Sequence, residues 1–362
     1  MRRRARALAA LVALVAADPV AAQEPAADCR PADLAALEGW NGVWIAQDLL
    51  ADINGREPAG AMELTEAAKL IGLEAPWTPE GWKRMGAALR LGVSTTQAGW
   101  AFPVMMSSPA PFTIVISPTV TVIASQYREI RYVYTDGRPH APEEERWPTN
   151  WGDSIGCWEG DTLTIDTVGV KYDPEFNFVA PPLSGNAHFV ERIRMTGPDR
   201  LESEITITDP EYLERPWQVH MVYLRHPVLT RLVHESDIFA NDRTQPGEGI
   251  VADAGPRAVL DPSYLPEKEP ELTAEQLDRV AGRYAFNEQP LELVVERRGN
   301  RVVFKAPPAL NFFLPLYARD PLNFVAVDGG TFRFLTDDRG RVIGFEGTNP
   351  AGVPMTGRRI SR

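Results

Sequence analysis

The chain holds little of what metal, thiol and nucleotide chemistry require. Only 2 cysteines and 5 histidines occur in 362 residues. No C-x-x-C, H-E-x-x-H or H-x-H spacing is present, so no structural zinc site is indicated and no metal is expected. No G-K-[ST] occurs and no G-x-G-x-x-G follows a strand, so no phosphate loop or dinucleotide site is indicated and no cofactor is expected. A basic excess is missing too. The 37 Lys and Arg are outnumbered by 49 Asp and Glu, for a formal charge of -12, which argues against nucleic acid and anionic membrane surfaces as partners. No βαβ alternation can be read, against a Rossmann-type sheet. Beyond the N-terminus no apolar run reaches the ~18 residues of a membrane helix, so no membrane span is expected.

What is present begins with an address. Met1 to Arg6 carries four arginines, Ala7 to Ala17 is an apolar run of Ala, Leu and Val, and Pro19-Val20-Ala21-Ala22 places small residues before Gln23. This three-part layout predicts a secretory signal peptide over 1–22 and a periplasmic or secreted protein. Its removal takes away a net +3 and leaves the mature chain at -15. In an oxidising compartment Cys29 and Cys157 can pair and tie the N-terminus to the main domain; the alternative is two unrelated thiols, one on the terminus and one packed in a strand.

The rest of the chain is turn-rich, with 28 Gly and 32 Pro, and carries 9 Trp, which suggests a core or pocket with much aromatic surface. Residues 23–110 read as a helical or irregular N-terminal segment. Pro31–Leu37, Thr65–Leu70 and Pro79–Met85 are its helix candidates, the last capped by Thr78 with Pro79 in its first turn. From Pro111 the pattern changes to period two, with strands expected at Phe112–Ile116, Val120–Ile123, Arg128–Tyr134, Asp161–Val168, Ala187–Met195, Leu201–Thr208, Trp217–Leu224 and Thr230–Glu235. Residues 241–272 read as a linker rich in Pro, Gly, Asp and Glu. Thr273 is placed to cap a helix over Ala274–Val280, and 273–362 continues as a small β domain. The expected fold is therefore mainly β. It comprises a lipocalin-like barrel or β-sandwich over 111–240, the helical N-terminal segment, and the small C-terminal β domain.

Two stretches are distinctive. Arg131-Tyr132-Val133-Tyr134-Thr135-Asp136-Gly137-Arg138-Pro139-His140 is one. The other runs from Trp147-Pro148-Thr149-Asn150-Trp151-Gly152-Asp153-Ser154-Ile155-Gly156 through Cys157-Trp158-Glu159-Gly160-Asp161-Thr162-Leu163. Together they resemble a large family of uncharacterised exported bacterial proteins, whose pattern is roughly R-x-I-Y-T-D-G-R-P-H followed by W-G-H-S-I-G-x-W-E-G-D-T-L-V-V-D-T. The likeness continues at His188–Arg192 and from Tyr212 through Trp217, covering about residues 100–240. It implies fold and export, and no settled activity. Asp153 stands where the family commonly has histidine, Leu183 where it often has a second histidine, and His234 where it has cysteine. If those positions form a polar site, this member has rebuilt it. The C-terminal unit is loosely similar to the small β domains appended to serine β-lactamase-like esterases, without their Ser-x-x-Lys motif.

The candidate chemistry is acid–base. The histidines are His140, His188, His220, His226 and His234. Strand parity puts His188 on one face with Val190 and Arg192, and Glu191 on the other. Among the carboxylates Asp136, Asp153, Glu159, Asp161 and Asp166, the odd one is Asp153, set between Trp151 and Trp158, where desolvation raises a carboxyl pKa. Asp153, His188 and Tyr134 are the catalytic candidates. Arg138 and Arg131, which can grip a carboxylate bidentately, with Trp151, Tyr132 and His234, are the substrate-binding candidates. Ser154 echoes G-x-S-x-G, but the nucleophile elbow needs a helix after it and here a strand follows. The reading is an exported protein acting on a small apolar or aromatic molecule in a β-domain cavity, as a cofactor-free lyase, isomerase or hydrolase. A non-catalytic periplasmic carrier and an envelope interaction protein remain as alternatives.

Overall fold

The computed structural model describes residues 29, 32–47, 70–92, 101–107, 110–126, 129–172, 180–232, 261–287, 289–306 and 310–361. The expected signal peptide, the Thr65–Leu70 helix candidate apart from Leu70, and His234 lie outside them. The protein is mainly β, 45% strand and 12% helix, and forms two closed barrels.

The first barrel contains β1 (Val43–Ala46), β2 (Phe112–Ile116), β3 (Val120–Ser125), β4 (Ile130–Tyr134), β5 (Asp153–Glu159), β6 (Thr162–Val168), β7 (His188–Gly197), β8 (Arg200–Thr208) and β9 (Trp217–Arg225). Each strand pairs with the next, and β1 closes on β9. Nine is an odd number, and strand direction cannot alternate all the way round an odd ring. One neighbouring pair must run parallel, and it is β4–β5. A parallel pair cannot be joined by a tight turn and needs a long crossover. Residues 135–152 are that crossover, and they carry most of the first distinctive motif and the start of the second.

The structure corrects several expectations. The N-terminal segment is not only helical or irregular: Val43-Trp44-Ile45-Ala46 is a strand, buried throughout, that closes the barrel. Four residues with no polar alternation carry no period-two signal, because both faces of this strand are covered. The described part of Pro31–Leu37 is a turn leading into a 3-10 helix at Glu38–Trp40. No strand forms over Thr230–Leu232. The expected linker, where described at 261–272, packs on the second barrel. There Tyr264 donates its hydroxyl hydrogen to the Val327 carbonyl at 2.6 Å, and Glu269 accepts from Arg301 and from the Ala318 amide. Cys29 and Cys157 form a disulfide.

Side chains fill the first barrel. Trp40 meets Trp158 edge-on at 4.9 Å, Phe112 meets Tyr223 at 5.0 Å, and Leu163, Ile165, Phe189 and Ile205 point inward. Arg131 also points inward, with only 1% of its surface exposed. Its Nη2 lies 2.5 Å from Glu191 Oε2 and donates to Thr167 Oγ1 at 2.7 Å, and its Nε donates to Ser154 Oγ at 3.2 Å. The contact with Glu191 is ionic and not aligned as a directed hydrogen bond, and Nη1 has no hydrogen-bond partner among the described residues. Phe102 caps the guanidinium at 4.1 Å. Arg131 is thus an interior ion-pair partner and does not face a substrate on the outer wall.

The second barrel is an up-and-down ring of β10 (Gly282–Phe286), β11 (Glu292–Arg298), β12 (Arg301–Ala306), β13 (Leu310–Ala318), β14 (Asn323–Ala326), β15 (Thr331–Thr336), β16 (Val342–Thr348) and β17 (Pro354–Ser361). Eight is even, and every pairing is antiparallel. Tyr284, Phe324, Phe332, Phe334 and Phe345 pack into its interior. Helix α2 (Ala274–Val280) precedes it, with the expected Thr273 cap completed by Gln276 as a capping box. Helix α1 (Pro79–Gly92) starts at Thr78, whose hydroxyl accepts from the Gly81 amide at 3.0 Å. Trp82 and Leu89 of α1 pack against both cores. Gly86 lies against the Val327 carbonyl where any Cβ would collide with backbone.

The interior pair yields a stability prediction. Removing one member leaves the other charged and buried, at a cost of about 3–5 kcal/mol, whereas replacing both by apolar residues is close to neutral. Arg131→Met and Glu191→Leu singly should each lower the urea midpoint strongly, and the double variant should recover most of the loss. Additive losses in the double variant would show that the two charges are not coupled.

Candidate functional site

Three adjacent strands and the crossover build one polar cluster on the outer wall of the first barrel. On β6, Leu163, Ile165 and Thr167 face in, so Thr164, Asp166 and Val168 face out. On β5, Ser154 faces Arg131 inside, which turns Asp153 and Ile155 outward. On β7, Phe189 and Glu191 face in and His188 faces out with Val190 and Arg192, as strand parity predicts. The register sets Asp153 opposite Val168, Ile155 opposite Asp166, and Asp166 opposite Val190. Asp153 and His188 are therefore both diagonal neighbours of Asp166. Diagonal Cα positions stand about 7–8 Å apart, within reach of a long side chain only.

His188 makes that reach itself: its Nε2 is 2.8 Å from Asp166 Oδ1. Between the two carboxylates the gap is filled by His140 of the crossover. Its Nδ1 is 2.9 Å from Asp153 Oδ2 and its Nε2 is 3.0 Å from Asp166 Oδ1. The Ala141 amide also donates to Asp153 Oδ2, at 3.1 Å. The result is a line, Asp153–His140–Asp166–His188, with side-chain exposures of 22, 19, 14 and 22%.

Carboxylate oxygens only accept, so an imidazole held between two of them is satisfied as an imidazolium with both N–H groups donating. Burial by itself lowers the His140 pKa, but the hydrogen bonds to Asp166 and Asp153, with their charges, outweigh it and the net direction is up. Burial raises the Asp166 pKa, and the hydrogen bonds from His140 and His188 outweigh it, holding the carboxyl at about 2. His188 must carry its proton on Nε2 to donate to Asp166. In the neutral ring that leaves the Nδ1 lone pair, and no described side chain bonds it. The two imidazoles share one carboxylate oxygen and Asp153 meets the far nitrogen of His140, so the groups do not surround a common centre. Among the described residues no group of three or more His, Cys, Asp or Glu is arranged to hold a metal ion.

The sequence candidates fare unevenly. Asp153 and His188 belong to the line. Tyr134 faces out on β4 opposite Ile155, beneath the Arg138 guanidinium at 4.2 Å, and no hydrogen bond joins it to the line among the described residues. Arg138 is half-exposed and forked onto both oxygens of Asp136, at 2.8, 3.1 and 2.6 Å, so its bidentate face is already occupied. Asp136 is held below the usual carboxylate range by that fork. Tyr132 is exposed on the outer wall, and Trp151 is partly buried against the first core. His140 and Asp166 were not among the chosen candidates. A signal for Asp166 was present: Gly160, with φ of 63°, and Asp161 make a tight hairpin turn that pairs Glu159 with Thr162. Counting back from that turn sets Asp166 diagonal to Asp153.

In comparisons with known proteins, no family model matches the chain, and no curated protein matches it significantly.

The low Asp166 pKa predicts the acid limb of stability. A carboxyl lowered from its ordinary value contributes stability that is present above about 3.9 and lost as pH falls toward the folded value. Asp166→Asn should therefore flatten the stability curve between about pH 4 and pH 2. At pH 6 it should cost more than Asp153→Asn, because two imidazoles lose a charged acceptor instead of one. Each such bond is worth about 1.5–3 kcal/mol. Equal losses from the two variants in urea titrations would refute this ordering.

Proposed function

We propose that the protein is an exported, cofactor-free acid–base catalyst for a small neutral molecule of apolar or aromatic character, with His188 as the general base and Asp166 as the carboxylate that orients it. The observation that carries this reading is the His188 ring itself. Its Nε2–H is committed to Asp166 at 2.8 Å, its Nδ1 has no described partner, and the side chain is partly exposed at 22%. An Asp-held imidazole with one free lone pair accepts a proton and is stabilised as the imidazolium that forms. His140, anchored on its far side by Asp153, joins His188 in holding Asp166 ionised.

The proposed acid–base residues lie on the outer wall and the barrel interiors are taken up by side chains, which supports a reaction outside the barrel rather than in its lumen. The charge of the site supports a neutral substrate. Asp153 and Asp166 outweigh His140, and the Arg138 charge is spent on Asp136. An anionic substrate would meet net negative charge. Exposed Tyr132, and Tyr134 beside Ile155, offer aromatic surface on the neighbouring strand. Lyase, isomerase and hydrolase reactions share the proton abstraction this base can perform. Export rests on the N-terminal layout of the sequence and on its family resemblance.

The test is turnover by the mature protein on a panel of neutral aromatic esters, lactones and β-hydroxy ketones, each paired with an anionic analogue. The expected result is activity on the neutral members that His188→Ala lowers by roughly 10²–10⁴, the usual worth of a general base, while the variant still folds cooperatively and loses no more stability than its one bond to Asp166 accounts for. Turnover that survives His188→Ala overturns the assignment. A co-purifying small molecule that binds without turnover would favour a carrier.

A further inference from the structure

The strongest feature not used by a catalytic base is the far half of the same line, where His140 joins the crossover to the wall. A ring that spans Asp153 and Asp166 crosses the square formed by Asp153, Ile155, Asp166 and Val168. One corner of that square, Ile155, faces out on β5 and is nonetheless buried at 3% exposure. The crossover has few other ties to the wall. Its start is held by the Thr135 amide to the Thr119 carbonyl at 2.9 Å, and its end by Thr149, which pairs with Val170 and exchanges bonds with Gly169 and Lys171. Between those ends, the described hydrogen bonds from the crossover to the barrel strands are those of His140 and of the adjacent Ala141 amide.

We propose that His140 is a proton-operated latch: as an imidazolium it bolts the 135–152 crossover to the outer wall through Asp153 and Asp166, and loss of its proton releases the middle of the crossover. The neutral ring has one N–H and one lone pair. It can donate to only one carboxylate, and its lone pair then faces the other, so the bridge is broken on one side and repulsive there. The groups that face the ring are known from each element: Asp153 on β5, Asp166 on β6, and His188 on β7 through the shared Asp166 oxygen. On the crossover itself, Arg138 is held by Asp136 and its charge is felt at Asp153, while Glu143, Glu144 and Glu145 are exposed. The two carboxylates dominate, in agreement with the upward direction of the His140 pKa. A group whose pKa is raised on folding stabilises its contacts fully below its ordinary value and loses that contribution as pH rises through the folded value. The latch is closed in mild acid and opens toward alkaline pH. This holds whether or not His188 is a catalyst.

The experiment is hydrogen–deuterium exchange of the full mature chain between pH 5.5 and 9, expressed as protection corrected for the intrinsic pH dependence of exchange. The Ala141 amide is the natural reporter because it donates to Asp153. The expected result is at least a tenfold loss of protection in peptides covering 136–148, with one midpoint above the ordinary histidine value of about 6.5, while β7 and β8 stay protected. His140→Gln should show low protection at every pH. Asp153→Asn keeps an acceptor for Nδ1–H but removes its charge, and should move the midpoint to lower pH. Flat protection in the wild type, or a pH-dependent loss that survives in His140→Gln, overturns the proposal. If His140→Gln does not fold, an unmoved midpoint in Asp153→Asn overturns it equally.

Discussion

An odd number of strands in a closed ring is the constraint on which the first barrel depends. Eight of the nine neighbouring pairs are antiparallel and the ninth, β4–β5, has to be parallel. Antiparallel neighbours can be joined by hairpins, but parallel ones force the chain to travel back along the barrel before the next strand begins. The return path is the 135–152 crossover. Its passage over the outer wall brings His140 to Asp153 and Asp166, residues on strands that His140 does not belong to. The second barrel makes the comparison internally. With eight strands it closes without a parallel pair, and each strand is hydrogen-bonded to the next around the ring.

The wall formed by β5, β6 and β7 carries two charged systems back to back. Alternation along each strand sends Ser154, Thr167 and Glu191 inward to Arg131 and sends Asp153, Asp166 and His188 outward to His140. The inner pair is almost fully excluded from water and has neutral hydroxyls around it. Its role is to satisfy itself, because an isolated charge there is prohibitive. The outer line is partly exposed and contains a ring nitrogen with no described partner, so it can exchange protons with whatever reaches it. Burial separates the inner ion pair from the partly exposed outer line, although both are built from the same residue types a few positions apart.

The two barrels are joined by shared packing. Trp82 and Leu89 of α1 contribute to both cores, and Gly86 allows the helix backbone to approach the Val327 carbonyl. Tyr264 donates to the same carbonyl group from the stretch that precedes α2, and Arg90 of α1 stacks on its ring at 4.4 Å. The first barrel, its helix and the second barrel are therefore linked by a small set of aromatic and glycine contacts.

Much was legible from the sequence because its causes are local. Period-two alternation marked β2, β3, β4, β6, β7, β8 and β9 to within a few residues. Thr78 and Thr273 marked the starts of α1 and α2, and the mainly β class followed. Parity alone set His188 and Glu191 on opposite faces. Asp153 and His188, both read as candidates, fall in one hydrogen-bonded line, but Arg131 was placed with the substrate groups because nothing local says whether a strand's odd or even face looks inward. β1 was invisible because a strand covered on both sides has no alternation. The β5–β6 register follows from the two-residue turn at Gly160 and Asp161, whereas the β6–β7 register, separated by the long 169–187 connection, could not be counted. What the sequence determined by itself were the elements and their faces, since these depend on neighbours one to four residues away. Only the tertiary structure decided that the ring closes on nine strands, that β4 and β5 run parallel, and that His140 falls between two aspartates. Those outcomes depend on closure around the whole barrel, which no local pattern records.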